Sequence, residues 1–231
     1  MEDYKSLITD DDFTRLRNEE KAGKTEEWIT MREDDKIRFY GKPKAKLSTF
    51  KVYMYFKHPA DLMYSLACNV KLRLIWDPTY KDVKDVQVIN NELDIIYFQL
   101  NTPFGVSPRD SLLLRARRRV KRDDGSTTYM VICKTVKHPK YPITKKFVRT
   151  TAKFHAYLIE MEKDLCKLFL YSESDFGGYI PKWVIDYVSK RKPNEWYNNL
   201  LNLANKMKQL PKKSSSTEEE WPYNSFIRSR L

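Results

Sequence analysis

Two charged residues four positions apart are the strongest candidates for ligand recognition in this chain. Arg73 and Asp77 flank Trp76 in the segment RLIWD. At this i, i+4 spacing both side chains point to one side of a helical turn, and a buried guanidinium binds a phosphate group bidentately. The same residues also fit a structural Arg–Asp ion pair beside a core tryptophan, because buried charges need partners in either case. The spacing therefore indicates an anion site or a structural ion pair.

The motifs of the common enzyme classes are missing. The sequence contains no GxxxxGK[ST] loop, no GxGxxG turn and no GxSxG elbow. Its three histidines and three cysteines show no metal-ligand spacing. The cysteines lie within apolar stretches, as free core thiols do, and they are odd in number and lack CxxC spacing. We therefore expect no catalytic residues, no metal, no cofactor apart from a bound ligand, and a reducing, cytoplasmic compartment.

A basic run, RARRRVKR, starts at Arg115. On a strand, Arg115, Arg117 and Arg119 share one face. That face is either a solvated sheet surface or a patch that docks peripherally on anionic membranes. The net charge of +12 favours an anionic surface. Nucleic acid is not expected as a partner, because no RNP-like aromatic signature accompanies the basic residues.

The length and patterning predict one α+β domain. The chain has 231 residues, of which 41% are hydrophobic, which suits one domain of ordinary size. No apolar run approaches the ~20 residues of a membrane-spanning helix, and the acidic start lacks the apolar core of a signal peptide. We expect an N-terminal extension at 1–9, the domain at 10–211 and a disordered tail at 212–231.

Antiparallel strands dominate the predicted domain. Aromatic and β-branched runs alternate with turn residues and carry no helical pattern between them, which favours antiparallel pairing. A helix is predicted at 10–22, two short helices at 59–68 and near 69–76, and a C-terminal helix at 180–210 that Pro193 kinks or interrupts. The predicted strands are 26–34, 36–41, 47–56, 83–90, 92–100, 110–120, 126–136, 147–161 and 164–174.

Four segments, in this order along the chain, resemble the StAR-related lipid-transfer (START) domain family, and most of all its phosphatidylcholine-transfer branch. They are RLIWD at 73–77, YF at 97–98, TPFGVSPRD at 102–110 with the basic strand after it, and GGYIPKWVI at 177–185. The resemblance covers roughly residues 10 to 210. It implies a helix-grip fold, in which a curved antiparallel sheet of about nine strands surrounds a long C-terminal helix and an internal hydrophobic cavity holds one lipid.

The same resemblance assigns ligand contacts. It places Arg73 on the phosphate and Asp77 near the choline of a phosphatidylcholine-like headgroup, with Trp76 beside them. Phe98 keeps one aromatic position of the choline cage, whereas Ser111 and Lys153 stand where the branch has aromatic residues. Since a lysine repels choline, phospholipid binding is better supported than choline specificity.

The remaining expectations concern the entrance to the cavity. Trp183 and Tyr187 are expected to pack the start of the C-terminal helix against the sheet or to form part of a lid, which would bury Trp183. Arg109 and Asp110 are expected to be structural and to anchor the loop at 101–108.

The function expected from the resemblance is lipid transport without covalent chemistry. The protein would be a monomer that carries one phospholipid and exchanges it at membrane surfaces. The alternatives left open are a sterol or ceramide carrier, or a helix-grip enzyme that acts on a small hydrophobic substrate.

Overall fold

The structure, a computed structural model, describes residues 4–43, 45 and 47–208. The predicted disordered tail at 212–231 lies outside the described residues. The helices are α1 (Asp10–Ala22), α2 (Ala60–Cys68), α3 (Val70–Trp76) and α4 (Lys182–Lys208). The strands are β1 (Ile29–Glu33), β2 (Ile37–Gly41), β3 (Ser48–Phe56), β4 (Tyr80–Asn90), β5 (Leu93–Leu100), β6 (Arg109–Lys121), β7 (Thr127–Thr135), β8 (Val148–Arg149), β9 (Thr151–Glu162) and β10 (Leu165–Asp175).

All ten strands form one sheet. Nine of them are antiparallel in the order β1-β2-β3-β10-β9-β7-β6-β5-β4, and the two-residue β8 pairs in parallel with β6. Short turns connect most neighbours, whereas the pairing of β3 with β10 joins the two ends of the chain. The predicted helix-grip fold with about nine antiparallel strands is confirmed.

The outer face of the sheet is covered by the N-terminal part of the chain. The Thr9 backbone N–H donates to the Asp12 carboxylate at 2.9 Å, which satisfies one of the free donors at the start of α1. Phe13 and Leu16 pack from α1 onto the outer cluster together with Ile8. Ile8, which precedes the predicted boundary at Asp10, is buried in the same cluster.

The inner face is covered by α2, α3 and α4. Val52, Met54 and Phe56 alternate along β3 into this inner cluster, as their period of two predicts. The ring of Phe56 stacks on that of Tyr197 in α4, with centroids 4.7 Å apart. No helix within the described ranges is both long and apolar enough to cross a bilayer.

The C-terminal helix differs from the prediction in one respect. α4 continues through Pro193, so of the two predicted effects the interruption does not occur. A proline removes a single backbone donor from a helix, and α4 is held on the far side of that residue by Tyr197, Leu200 and Ala204, which are buried in the inner cluster.

Candidate functional site

A cavity of about 60 Å³ lies between the α2–α3 corner and the inner faces of β4, β5, β6, β7 and β9. We call it the inner cavity. Its apolar wall is formed by Val83, Ile96, Phe98, Leu113 and Val131. Its polar groups come from Arg73, Tyr80, Arg115, His155 and Tyr157. A mostly apolar cavity with a few placed polar groups is typical of a small-molecule site.

Arg73 is the charged group that the sequence predicted for this cavity, and it lies in the wall. Its Nε donates to Asp77 Oδ2 at 3.0 Å, and its Nη1 donates to the Tyr157 hydroxyl at 2.8 Å. Burial alone would lower the pKa of Arg73, but the oxygens of Tyr157, Tyr80 and Asp77 outweigh burial and raise it. The guanidinium therefore stays charged inside the protein.

Aromatic rings surround the same guanidinium. Its central carbon lies 4.6 Å from the ring centroid of Trp76, 4.8 Å from that of Tyr80 and 5.8 Å from that of Tyr157. These are cation–π distances. The Trp76 indole N–H donates to the Leu66 carbonyl oxygen at 2.8 Å, which fixes α3 against α2. The structure contains the Arg73–Asp77 ion pair, and Arg73 also lines the inner cavity.

A second buried ion pair lies on the inner face. Arg115 is 6% exposed, and its Nε and Nη2 donate to the two carboxylate oxygens of Asp94 at 2.9 and 2.6 Å. Arg117 also pairs with Asp94. Burial would raise the pKa of Asp94, but hydrogen bonds from these arginines lower it. The carboxylate is therefore ionised and stabilises two guanidinium groups.

These contacts correct the prediction of an exposed docking patch. The predicted face of β6 does carry Arg115, Arg117 and Arg119, but it points inward at its first two positions, where α2 and α3 cover the sheet. Arg115 donates to the Cys68 carbonyl oxygen at the end of α2. Arg119 is exposed, so only this member of the trio remains a candidate for membrane contact.

His155 and Tyr157 were not identified from the sequence. They are two residues apart in β9 and both line the inner cavity. The His155 ring nitrogens are 3.1 Å from the Tyr157 hydroxyl and 3.2 Å from Ser172 Oγ. Burial, followed by the nearby Arg73 charge, lowers the pKa of His155 to about 3, so the imidazole is neutral. The period-two spacing along β9 was the available signal.

The choline-cage positions are only partly as expected. Phe98 and Ser111 lie opposite each other in β5 and β6, and both are buried. Phe98 lines the inner cavity, where its ring lies 4.9 Å from that of Tyr80. Lys153 is exposed, so it does not occupy the choline-cage position that the resemblance implied.

Arg109 joins two loops at one end of the sheet. Its guanidinium donates to the carbonyl oxygens of Ser107, Phe176 and Gly177 at 2.7, 3.1 and 3.1 Å. Asp110 forms a two-point ion pair with Arg149. Both residues therefore have structural contacts, and Arg109 anchors the turn before α4 as well as the loop at 101–108.

The start of α4 does not pack as predicted. Trp183 is 53% exposed, so the expectation that it is buried against the sheet is wrong. The neighbouring Val184 is the buried residue of this turn. Tyr187 belongs to α4, but its side chain lies outside the described part of the structure. In the described ranges, no three His, Cys, Asp or Glu side chains converge as metal ligands.

The sequence is similar to a known protein family over most of its length. The START domain profile matches residues 12–209. The chain is similar to human START domain-containing protein 10, with 28% identity over 133 residues, 57% of this chain and 44% of that protein. It is also similar to bovine phosphatidylcholine transfer protein, with 24% identity over 131 residues, 56% of this chain and 60% of that protein. Murine acetyl-coenzyme A thioesterase is 26% identical over 156 residues, 64% of this chain and 28% of that protein. The match to START domain-containing protein 10 thus spans less than half of that protein.

Solved structures share the fold. The crystal structure of human STARD10 has a TM-score of 0.74 at 23% identity and covers 97% of this chain and 90% of its own. Human StAR-related lipid transfer protein 5 has a TM-score of 0.72 at 20% identity, with coverage of 85% and 95%. Since the family profile extends over nearly all of the described residues, the chain belongs to the START domain family.

Proposed function

We propose that this START-domain protein binds one phospholipid in the inner cavity and exchanges it at membranes, with no bond made or broken. One observation carries the proposal: the charged guanidinium of Arg73 is held in the wall of an otherwise apolar cavity. An apolar wall suits acyl chains, and a fixed guanidinium suits a phosphate group.

The phosphate is the recognised part of the headgroup in this proposal. Three aromatic rings around this site, those of Trp76, Tyr80 and Tyr157, are already engaged by Arg73. A phosphate oxygen would take the place of the Tyr157 hydroxyl on Arg73 Nη1, while Asp77 keeps its contact with Nε. This arrangement supports a phospholipid ligand more than it supports a choline-specific one.

Lipid entry requires the cavity to open. A volume of about 60 Å³ has room for only a few water molecules. Acyl chains need far more, and sheltering them offsets the loss of the bilayer by ~0.8 kcal/mol per buried CH₂. We propose that the part of α4 before Pro193 and the loop at 101–108 move apart, because the rest of α4 is anchored in the inner cluster.

A surface near this entrance suits membrane contact. Phe104, Tyr179 and Trp183 are 102%, 84% and 53% exposed, and Arg109 ties the loops that carry the first two together. Lys145 and Lys146 are exposed in the loop before β8, and β8 contacts the turn at Gly177 through Val148. We call these five residues the rim. Aromatic side chains with nearby lysines favour an anionic bilayer surface.

An enzymatic function is the alternative, because one relative is named acetyl-coenzyme A thioesterase. The inner cavity argues for a carrier. A general base works best with a pKa near the operating pH, whereas the pKa of His155 is lowered to about 3. Burial raises the pKa values of Cys68 and Cys133 to about 11 and about 12, which disfavours a thiolate nucleophile. The free thiols also support a reducing, cytoplasmic compartment.

Native mass spectrometry of the purified protein tests the proposal. We expect one phospholipid per chain, and we expect the double variant Arg73→Met/Asp77→Leu to fold but to lose that lipid and its transfer between vesicles. The matched control is Lys81→Met/Asp85→Leu, which removes an oppositely charged pair at the same spacing from exposed positions of β4. Transfer by the Arg73 variant at the parent rate would make the pair structural only. A retained sterol or ceramide would indicate another cargo, and hydrolysis of acyl-CoA by a lipid-free protein would indicate an enzyme.

A further inference from the structure

A second and larger cavity lies on the opposite side of the sheet from the inner cavity. It is open to solvent, has a volume of about 500 Å³ and lies between α1, the segment that follows it and β3. We call it the outer cavity. Its charged and aromatic lining includes Arg15, Glu19, Trp28, Lys42 and Lys51. The volume is within the range of small-molecule sites.

Lys51 is the unusual group in this lining. It is 0% exposed, and its Nζ has no hydrogen-bond partner among the described residues. The nearest carboxylate oxygen is Glu19 Oε2 at 3.9 Å, which is too far for a hydrogen bond. Burial lowers the pKa of Lys51; Glu19 opposes this shift and Lys42 adds to it. A buried ammonium without an acceptor is costly, so an anionic oxygen at this position would stabilise it.

Trp28 holds a second ammonium close to the first. Lys51 Nζ lies 4.2 Å and Lys42 Nζ 4.7 Å from the Trp28 ring centroid. The Trp28 ring is itself buried and packs edge-on against Tyr171 of β10, so it is fixed in place. Lys42 is 26% exposed in its side chain and also pairs with the exposed Glu27. Two ammonium groups therefore converge on one aromatic ring at the edge of the outer cavity.

The rest of the lining consists largely of hydroxyl, amide and carboxylate groups. Asp11, Thr14 and Asn18 line the cavity along α1, and Thr25 lines it from the following segment. Such groups donate to or accept from hydroxyls. Three of these four side chains lie on α1, whereas the lysines belong to the β2–β3 region.

We infer that the outer cavity binds a small hydroxylated molecule through a phosphate-type anion. Lys51 and Lys42 donate to the anionic oxygens, and the polar side chains of α1 contact the hydroxyl groups. Glu19, which is partly exposed, swings aside to uncover Lys51 Nζ. The same chemistry occurs in a soluble phosphate monoester and in the headgroup of a membrane lipid, so the experiment has to separate these two sources.

The experiment titrates the full chain with glycerol 3-phosphate, a hydroxylated phosphate monoester, by calorimetry. We expect binding that weakens roughly tenfold or more in Lys51→Met and in Lys42→Met, because each change removes a hydrogen bond to a charged group. Methionine keeps the apolar stem of lysine, and at position 51 it also removes the unpartnered buried charge, so the fold should be retained. The matched control is Lys84→Met, at an exposed lysine of β4 beside Asp82, which should bind like the parent.

A second arm adds vesicles that contain phosphatidic acid, which carries the same phosphate monoester on a lipid. Displacement of glycerol 3-phosphate by these vesicles, but not by neutral vesicles, assigns the site to a headgroup; failure to displace it assigns the site to a soluble ligand. Absence of binding by the parent overturns the inference, as does equal binding by Lys51→Met and Lys84→Met. If Lys51→Met does not fold, the more exposed Lys42→Met decides in the same way.

Discussion

The charged side chains on the inner face form ion pairs. Arg73 is balanced by Asp77, and Asp94 serves both Arg115 and Arg117. Removing one member of such a pair typically costs ~3–5 kcal/mol, because the remaining charge is left buried. The pairs therefore hold a fixed field around the inner cavity. His155 lies among these charges and is neutral, because burial and the nearby Arg73 charge disfavour its protonation.

We predict that the fold loses stability in mild acid, because His155 takes up a proton at a higher pH in the unfolded chain than in the folded chain. The folded pKa is about 3 and the unfolded value is ~6.5, so between these pH values the unfolded chain binds more protons. The free energy of unfolding must then decrease as the pH falls from 6.5. His155 alone should account for about 2 kcal/mol of the loss between pH 6.5 and pH 4.5.

Urea unfolding at several pH values checks this prediction against His155→Gln, which cannot take up the proton. The variant has its own stability at pH 7, but its free energy of unfolding should decline less steeply between pH 6.5 and 4.5. His138, a partly exposed histidine, provides the control substitution His138→Gln, which should keep the parent slope. Parallel slopes for the parent and His155→Gln would mean that the imidazole is not shielded as described.

At the scale of elements, local signals in the sequence located most of the strands, although the strand predicted at 147–161 is divided into β8 and β9. Alternation and turn residues placed the boundary of β6 within one residue of Arg109–Lys121, and the alternation of Leu112, Leu114 and Ala116 on one face was right. The burial of Arg115 could not be read in the same way. Its partner Asp94 belongs to another strand, and the helices that cover this face are distant in sequence.

The same limit applies to the cavity and to α4. His155 and Tyr157 reach the cavity because β9 pairs between β7 and β10. Local sequence patterns do not predict this strand order. The spacing of Arg73 and Asp77 was local, since both belong to one helical turn, and it was predicted. Trp183 was expected to be buried because it is large and apolar, but exposure depends on how α4 docks.

We predict that Arg109 controls the mobility of the two loops at the entrance. Arg109→Met removes a guanidinium that donates to Ser107, Phe176 and Gly177 carbonyls and keeps the stem. Each hydrogen bond from a charged group contributes ~1.5–3 kcal/mol. Their loss should therefore increase local opening of the two loops roughly tenfold or more. Hydrogen exchange measured by mass spectrometry should rise in peptides that cover 101–108 and 176–181.

The control for this prediction is Arg122→Met. Arg122 is an exposed arginine that donates to a single carbonyl, that of Met161, at 2.9 Å, so its loss should leave both loops as protected as in the parent. A uniform rise in exchange over β9 and β10 in the Arg109 variant would instead indicate a general loss of stability. Unchanged exchange in the two loops would show that Arg109 does not join them.

On the scale of the whole molecule, we propose that the two faces of the sheet bind different ligands. The inner face holds a lipid between the sheet and α4, and the outer face holds a polar ligand under α1. Two of the three arginines that the sequence suggested as a docking face, Arg115 and Arg117, pair with Asp94 on the inner face instead. Membrane contact is therefore assigned to the rim, where exposed aromatic rings occur beside lysines.

We predict that Phe104→Ser/Trp183→Ser weakens binding to vesicles that contain anionic lipid by roughly tenfold or more, because each aromatic side chain gains ~1.5–3 kcal/mol when it leaves water. Both rings are exposed in the free protein, so the urea midpoint should not change. Val88→Ser, at an exposed apolar residue of the edge strand β4, is the matched control and should bind normally in a flotation assay. If the double variant floats like the parent, the rim does not dock. If Val88→Ser loses as much binding as the double variant, general surface hydrophobicity drives adsorption, rather than the position of the rim beside the entrance.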